Sequence, residues 1–415
     1  MSVYKIMQSM PDMGELRIDV TGERGEPISN AVADVSFTGE PEDTLEELTT
    51  DSDGQTPVLS LPAPPLEYSE NPGINQPYSE YSITVRAAGY EPVVINGINL
   101  FSGEESIQNI SLRPVSPVVP LQVFNIGPHT LYGDYPPKIP EAEIKPINNP
   151  GEIVLDKVVV PEIIVVHDGV PSDSTASNYY IPFTDYIKNV ACSEIYPTWP
   201  VSTITANVIA IISFTLNRVY TEWYRNKGYS FTITSSTAYD HKWINERNFF
   251  DSISQVVDDV FTNYVSRPNI KQPILTQYCD GKRTTCSGMS QWGSKYLGDD
   301  GFSAIQILRN YYGSDVYINT AEEVEGIPVS WPGYTLNVGD SGSYVRTIQE
   351  QLAAIRDTYS NIPPLDIDGI YGEYTAAAVK KFQQIFDLPQ TGEVDYRTWY
   401  KISQLFVALE KLAEL

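Results

Sequence analysis

A glutamate stands where a helix should be apolar. Four positions follow the spacing i, i+3, i+4 and i+7 that places side chains on one helix face: Ile187, Val190, Ala191 and Glu194. Removal from water favours the neutral form of a carboxyl group, so an acid on this face could donate a proton near neutral pH. The alternative is that Glu194 lies on the solvated edge of a helix that ends before Pro197.

The segment that contains this acid is followed along the chain by two further blocks. The segments are residues 186–200, which end in a Trp-Pro pair, residues 234–240, and residues 288–293 followed by 305–313. Together they resemble the stage II sporulation protein D (SpoIID) family of lytic transglycosylases over roughly 130 residues. The chain departs from that family at Ile212-Ser213, where an Arg-Thr pair is usual, and at Thr285-Cys286, where a histidine and a glycine are usual.

The resemblance implies glycosidic bond cleavage by one carboxyl group. Glu194 would protonate the leaving oxygen and then deprotonate the C6 hydroxyl of muramic acid, which attacks C1 of the same ring and gives a 1,6-anhydro product. A hydrolytic muramidase would instead need a second carboxylate. Asp240 is the candidate for that role, whereas Asp185 is better explained as a helix-start residue.

Side chains near the acid suit a sugar ligand. Hydroxyl and amide groups can bind sugar hydroxyls or acetamido groups, and aromatic rings can stack on a pyranose face. The resembling blocks supply six such candidates: Ser235, Ser236, Tyr239, Ser290, Gln291 and Trp292. For the two aromatic residues, plain core packing is the alternative.

Two cysteines flank a short loop beside the third block. Some members of the resembling family bind zinc, and Cys279, Cys286 and His241 are the candidate ligands here. The spacing fits no standard zinc signature, and a disulfide or two reduced thiols explain it as well. No cofactor is otherwise required for the expected reaction, and Cys192 is expected to be a small buried apolar residue.

The elements that must position these residues divide the chain into several units. Residues 1–113 alternate apolar and polar positions between turn signals, which predicts a β-sandwich similar to the carboxypeptidase-regulatory or transthyretin-like module. Residues 114–160 are rich in proline and predict a stiff, accessible linker with a processing site. Residues 161–325 predict an α+β catalytic domain of SpoIID type, whose spine is a long helix after Ser202 that runs through Trp223.

The C-terminal residues 334–415 predict a three-helix, all-α domain. Apolar positions at helical spacing alternate with tight glycine-containing connections such as residues 339–342 and 369–372. This pattern is similar to the peptidoglycan-binding type 1 module. The resemblance implies binding rather than catalysis, because the segment has no acid or nucleophile pair.

Composition narrows the range of partners. The chain has 53 acidic and 27 basic residues, which argues against binding of nucleic acid or of an anionic membrane surface. Neither a basic start with an apolar run of signal-peptide length nor a stretch of about 18 apolar residues is visible. We therefore expect synthesis without a classical signal peptide and no membrane span.

The order of these units resembles that of the clostridial germination-specific spore-cortex-lytic enzymes. That resemblance implies a zymogen made in the mother cell, stored in the cortex or coat region of the spore, and activated by a subtilisin-like germination protease that cuts the linker. The substrate would be cortex peptidoglycan. The rival from another class is a non-catalytic wall-binding or spore-structural protein.

Overall fold

The computed structural model describes residues 12–41, 43–116, 121–146, 154–285 and 287–413. Its N-terminal unit is built on strands, as the alternating pattern predicts. They are Asp12–Gly22 (β1), Val32–Phe37 (β2), Thr44–Thr49 (β3), Leu59–Ala63 (β4), Ser79–Arg86 (β5), Val93–Leu100 (β6), Glu105–Leu112 (β7) and Gln122–Asn125 (β8). A short helix, Glu67–Glu70 (α1), follows β4.

These strands form two sheets that share one apolar core. One sheet has the order β3, β2, β5, β6, β8, and the other contains β7, β1 and β4. In β1 the alternate residues Leu16, Ile18 and Val20 are buried, and they belong to the same cluster as Val35 of β2 and Ile83 of β5. The period of two in the sequence thus places one face of each strand in the core.

The central unit mixes helices and short strands. Its helices are Phe183–Glu194 (α2), Val201–Tyr220 (α3), Asp251–Val260 (α4), Gln291–Asp299 (α5) and Ala304–Tyr312 (α6). Its strands are Val159–Val160 (β9), Ile163–His167 (β10), Asn178–Pro182 (β11), Ile233–Thr234 (β12), Phe249–Phe250 (β13), Asn263–Ser266 (β14), Tyr278–Cys279 (β15), Met289–Ser290 (β16), Tyr317–Thr320 (β17) and Glu323–Val324 (β18).

Helix α3 is the spine of this unit, and all but four of its 20 residues are buried. It ends at Tyr220, so the expected continuation through Trp223 is wrong. The backbone of Glu222 has a φ of 44°, a left-handed conformation that breaks a right-handed helix. A 3-10 turn at Arg225–Lys227 then leads to Gly228, which has the left-handed backbone expected after a helical segment.

The N-terminal and central units are joined through a sheet. Strand β13 pairs with β7, with Phe249 opposite Ile107, so the second sandwich sheet has the order β13, β7, β1, β4. Phe101, which follows β6, packs its ring against Tyr196 and Phe250 at 5.2 Å from each. The core of the central unit therefore includes side chains of the sandwich.

The C-terminal unit has the expected helices, Ser343–Thr358 (α7), Glu373–Ile385 (α8) and Tyr396–Ala413 (α9). Buried Leu352, Phe382 and Trp399 contribute to its core, one from each helix. In the described part of the chain, no helix is both long and apolar enough to cross a membrane.

The proline-rich segment is accessible only in part: Pro136, Pro137 and Pro140 are exposed, as expected of the linker, whereas other residues are packed. His129 and Leu131 are buried, as are Lys145 and Val158 farther along. The extended backbone bonds to the central unit, for example from the Thr130 amide to the Ser193 carbonyl at 3.0 Å. An extended chain leaves its amides and carbonyls free for such partners, so a proline-rich sequence can dock on a neighbouring unit while its prolines stay exposed. Residues 117–120 and 147–153, where part of the expected linker falls, lie outside the described residues.

Candidate active site around Glu194

Glu194 is the last residue of α2 and its side chain is only 4% exposed. Ile195 adopts an extended backbone, and its amide still bonds to the Ala191 carbonyl. The helix therefore ends with the acid turned into the protein, as the apolar spacing indicates. Glu194 therefore does not lie on a solvated edge of the helix.

Three donors surround the Glu194 carboxylate. The Lys242 amide donates to Oε1 at 2.8 Å, and the Thr130 hydroxyl lies 3.1 Å from Oε2 and 3.0 Å from the Ser193 carbonyl, which share its single proton. Gln291 Nε2 lies 3.4 Å from Oε2 and donates to the Glu194 backbone carbonyl at 2.8 Å. Of the predicted ligands, Gln291 is thus the one that contacts the acid, from the first turn of α5.

Tyr278 and Lys138 complete the surroundings of the acid. Burial raises the pKa of the Tyr278 hydroxyl well above its usual value, and the facing Glu194 carboxylate raises it further. The Lys138 ammonium lies 4.6 Å from the centre of the Tyr278 ring and donates to the Asp240 carbonyl. Burial lowers the pKa of Lys138, and Glu194 and Asp240 oppose that shift.

The segment of residues 126–146, which we call the strap, closes the site. A cavity of about 80 Å³ beside Glu194 is lined on one side by strap residues, among them Thr130, Tyr135 and Lys138, and on the other by Tyr278 and Gln291. Burial and Glu194 raise the pKa of the Tyr135 hydroxyl to about 12. The site is therefore a covered pocket rather than an open glycan groove.

Several groups of the central unit fasten the strap. Arg283 donates to the carbonyls of Tyr132 and Gly133. The Ile139 amide donates to the Ala238 carbonyl at 2.7 Å, and Gln277 Nε2 donates to the Ile139 carbonyl at 2.8 Å. The strap thus lies across the site as an extended chain held by its own backbone.

Asp240 has a different environment from Glu194. It is fully buried and accepts four hydrogen bonds, from Arg218 Nε at 2.7 Å, the Tyr224 hydroxyl at 2.6 Å, and the amide and hydroxyl of Thr234 at 3.0 and 2.7 Å. Arg218 also pairs with Glu141 of the strap. Burial alone would raise the pKa of Glu141, but Arg218 and Lys145 lower it to about 2. With its oxygens occupied, Asp240 serves as a structural acid and is poorly placed to activate water.

The other predicted ligands lie away from the cavity. The Ser235 hydroxyl donates to Asp168 at 2.8 Å, and the Ser236 carbonyl accepts the amides of Tyr239 and Asp240 in a turn. Ser290 caps α5 by accepting the Gly293 amide. Trp292 is 2% exposed, and its ring centre lies 5.0 Å from that of Trp199. This side chain therefore packs in the core, as the alternative to sugar stacking predicts. Sugar binding by these side chains stays a prediction.

The zinc hypothesis does not fit the residues present. Cys279 is disulfide-bonded and so offers no thiolate. His241 is fully buried, with Nδ1 3.0 Å from the Tyr186 hydroxyl, and Cys286 lies outside the described residues. In the part of the chain that the structure describes, no three His, Cys, Asp or Glu side chains are grouped to hold a metal. Cys192 is free and buried, and burial raises its pKa to about 12.

Sequence reasoning missed Thr130, Lys138 and Tyr278. Thr130 lies in the expected linker, 64 positions from the acid that it contacts. No periodic pattern connects residues at such a separation. The sequence offered one indication of Tyr278, which is its position beside Cys279 in the loop before the third resembling block.

Comparisons with known proteins add one family and several partial likenesses. Residues 341–402 match the family described as putative peptidoglycan binding domain. No curated protein matches the chain. Among solved structures, the SleB N-terminal domain is 25% identical and covers 19% of this chain and 99% of its own, with a TM-score of 0.17.

Two other solved structures match shorter shares of their own chains. The Bacillus anthracis TIE protein is 24% identical over 25% of this chain and 17% of its own, with a TM-score of 0.19. Catechol 1,2-dioxygenase from Acinetobacter sp. ADP1 is 14% identical over 27% and 58%, also with a TM-score of 0.19. At such TM-scores these likenesses carry no argument about function. The family match supports peptidoglycan binding by the C-terminal unit.

Proposed function

We propose that this protein is a lytic transglycosylase of spore-cortex peptidoglycan, stored as a zymogen. The observation that carries the proposal is the buried Glu194 carboxylate, held by Gln291 and the Lys242 amide at the wall of a cavity. Two other carboxylates line this cavity. Asp134 is fully exposed on the strap, and Asp280 accepts the amides of Lys282, Arg283 and Thr284 in its own loop.

A single acid is sufficient for the proposed reaction. Protonated Glu194 gives its proton to the glycosidic oxygen as the bond from that oxygen to C1 of muramic acid breaks. The C6 hydroxyl then bonds to C1, and its proton passes to Glu194, which restores the acid. The products are a 1,6-anhydromuramic end and a free hydroxyl on the neighbouring sugar, with no water consumed.

The strap supports the zymogen part of the proposal. In the uncut chain the Thr130 hydroxyl occupies Glu194 Oε2, the position that a glycosidic oxygen would need. Cutting of the proline-rich segment beyond the strap would let the strap leave with the N-terminal unit. Activation by a subtilisin-like protease and location in the spore rest on the resemblance of the whole domain order.

The decisive experiment compares cortex fragments released by the processed wild type and by Glu194→Gln. The amide has the same shape but cannot cycle a proton, so we expect loss of at least about 100-fold in release. Asp185→Asn in the first turn of the same helix is the matched control and should keep wild-type activity. More than a few per cent residual activity in Glu194→Gln would contradict the proposal.

Fragment masses separate the rivals. Anhydro ends are expected from the wild type, whereas products heavier by one water would favour a hydrolytic muramidase. No release at all by correctly processed protein that still binds the wall would favour the non-catalytic wall-binding alternative.

A further inference from the structure

Two faces of the C-terminal unit are occupied by the rest of the protein. Toward the sandwich, the Tyr359 hydroxyl donates to the Gly25 carbonyl at 3.0 Å, and Lys381 pairs with Asp53 at 3.0 Å. Arg17 of β1 also pairs with Asp387, which follows α8. These contacts make one side of α8 inaccessible to a ligand.

The face of α9 is occupied by the central unit. The rings of Phe261 and Tyr400 lie 5.1 Å apart, and Arg397 pairs with Asp259 at 2.8 Å. The Trp399 indole donates to the Val329 carbonyl at 3.1 Å. A wall ligand must therefore bind elsewhere on the unit.

Exposed apolar side chains cluster at the corner where α7 and α8 begin. Their exposed fractions are 74% for Tyr374, 56% for Ile370, 50% for Val338 and 42% for Ile367. We call these four residues the corner patch. An exposed tyrosine beside aliphatic side chains offers a surface on which the apolar face of a sugar ring can lie.

The backbone beneath the corner patch is fixed before any ligand binds. Ser341 forms a β-bridge with Ile370, and the Gly342 amide donates to the Gly369 carbonyl at 2.9 Å. Gln349 accepts the Gly369 amide at 2.7 Å and donates to the Ile370 carbonyl at 3.0 Å. A surface fixed in this way loses little conformational entropy on binding.

The charges around the patch select among the components of a cell wall. Four carboxylates lie within two residues of patch residues in the sequence, at Asp340, Asp366, Asp368 and Glu373, and the guanidinium of Arg346 donates to the carbonyls of Ile367 and Asp368. The whole chain has a formal net charge of -26. Phosphate polymers and carboxylate-bearing stem peptides would be repelled, whereas uncharged sugar rings would not.

We propose that the corner patch is the surface by which the C-terminal unit binds peptidoglycan, and that its ligand is the uncharged sugar backbone of the glycan strand. The proposal rests on the proposed function, from which it takes peptidoglycan as the partner. It adds the position of the contact and the chemical part of the polymer that is recognised.

The test is co-sedimentation of the uncut full chain with purified peptidoglycan from which teichoic acids have been removed. All proteins carry Glu194→Gln, so that the polymer stays intact, and the strap covers the catalytic cavity. We expect the double variant Tyr374→Ala, Ile370→Ser to bind at least about tenfold more weakly. Tyr180→Ala is the matched control, because Tyr180 is 70% exposed on β11 and lies outside the C-terminal unit.

Competition identifies the ligand. Glycan strands freed of peptides by an amidase should displace the protein, and isolated stem peptides should not. If the protein without patch substitutions fails to sediment, wall binding itself is wrong. If it sediments and the double variant binds equally well, the corner patch is wrong while wall binding stands. Displacement by stem peptides and not by glycan would overturn the assignment of the ligand.

Discussion

At the residue scale, two buried acids of the central unit, Glu194 and Asp240, have different kinds of partner. Asp240 receives all its donors from Arg218, Tyr224 and Thr234, which belong to the central unit itself. Glu194 receives one donor from Thr130, which departs if the strap leaves. Burial alone did not distinguish these acids. What distinguishes them is whether a donor can be replaced by substrate.

Asp240→Asn should destabilise the protein without abolishing its cortex-lytic activity. The change removes one of the two carboxylates that pair with the buried guanidinium of Arg218 and leaves Glu141 as the other, so we expect a loss of about 1–3 kcal/mol. Urea unfolding followed by tryptophan fluorescence measures this loss. Activity per folded, processed molecule should stay within about threefold of wild type.

The outcome also tests Asp240 as a catalytic residue. A stable Asp240→Asn protein with activity lowered 100-fold or more would show that Asp240 takes part in the reaction, as the hydrolytic alternative requires. The variant Glu222→Gln, at a partly buried acid that pairs with Arg225, controls for the general effect of removing an acid from this part of the central unit.

At the element scale, the strap determines whether the acid is accessible. It has no helix or β-ladder beyond β8, and its backbone is satisfied by residues such as Ser193, Ala238 and Gln277 of the central unit. Such a segment is stabilised only where it is docked. We therefore expect that this segment can be displaced without unfolding the central unit.

Thr130→Asp should release the strap in the uncut chain. A carboxylate at this position would face the Glu194 carboxylate, and like charges at hydrogen-bonding distance repel. We expect cortex lysis by uncut protein to rise at least about fivefold, together with faster hydrogen exchange at the amides of residues 130 and 139.

Thr130→Val separates this repulsion from simple loss of a hydrogen bond. Valine has nearly the same shape, so the strap should stay docked and activity should rise by less than about twofold. After proteolytic processing both variants should match the wild type. Unchanged activity of uncut Thr130→Asp, with faster exchange confirmed, would show that the strap does not inhibit the enzyme.

At the scale of the whole molecule, partly buried carboxyl groups lie at the contact between the sandwich and the central unit. The Ser252 hydroxyl at the start of α4 donates to Glu104 at 2.8 Å. Burial raises the pKa of Glu104 to about 7, a shift that Ser252 opposes and Asp251 supports. Burial also raises the pKa values of Glu105 and Asp251. The junction therefore favours neutral acids.

The stability of this junction should fall as the pH rises. Glu104 binds its proton more tightly in the folded state, so its favourable contribution is complete below the usual pKa of 4.5 and is lost as the pH rises to about 7. We expect the urea midpoint of uncut protein to be lower at pH 8 than at pH 5.

Glu104→Gln isolates this group from other titrating residues. The amide is neutral at every pH, so the difference in midpoint between pH 5 and pH 8 should be smaller in the variant than in the wild type. Equal pH dependence in the two proteins would show that Glu104 does not control the junction.

The sequence by itself determined most of the local elements and predicted a buried face for Glu194 beside the alternative of a solvated edge. Spacing of i, i+3, i+4 and i+7 fixes a helix face, and alternation fixes a strand face, because both follow from backbone geometry over a few residues. The three C-terminal helices and the first strands could be predicted for this reason. The end of α3 could not, since the left-handed backbone at Glu222 leaves no mark in the periodic pattern.

Only the tertiary structure decided what surrounds the acid. Thr130, Gln291 and the Lys242 amide reach Glu194 from positions 64, 97 and 48 residues away. The pairing of β13 with β7 joins two units that the sequence separates. Proline content predicted an extended strap but not its partners, because an extended backbone satisfies its hydrogen bonds wherever packing places them. Contacts at such separations depend on how the elements pack, and that information is absent from any local pattern.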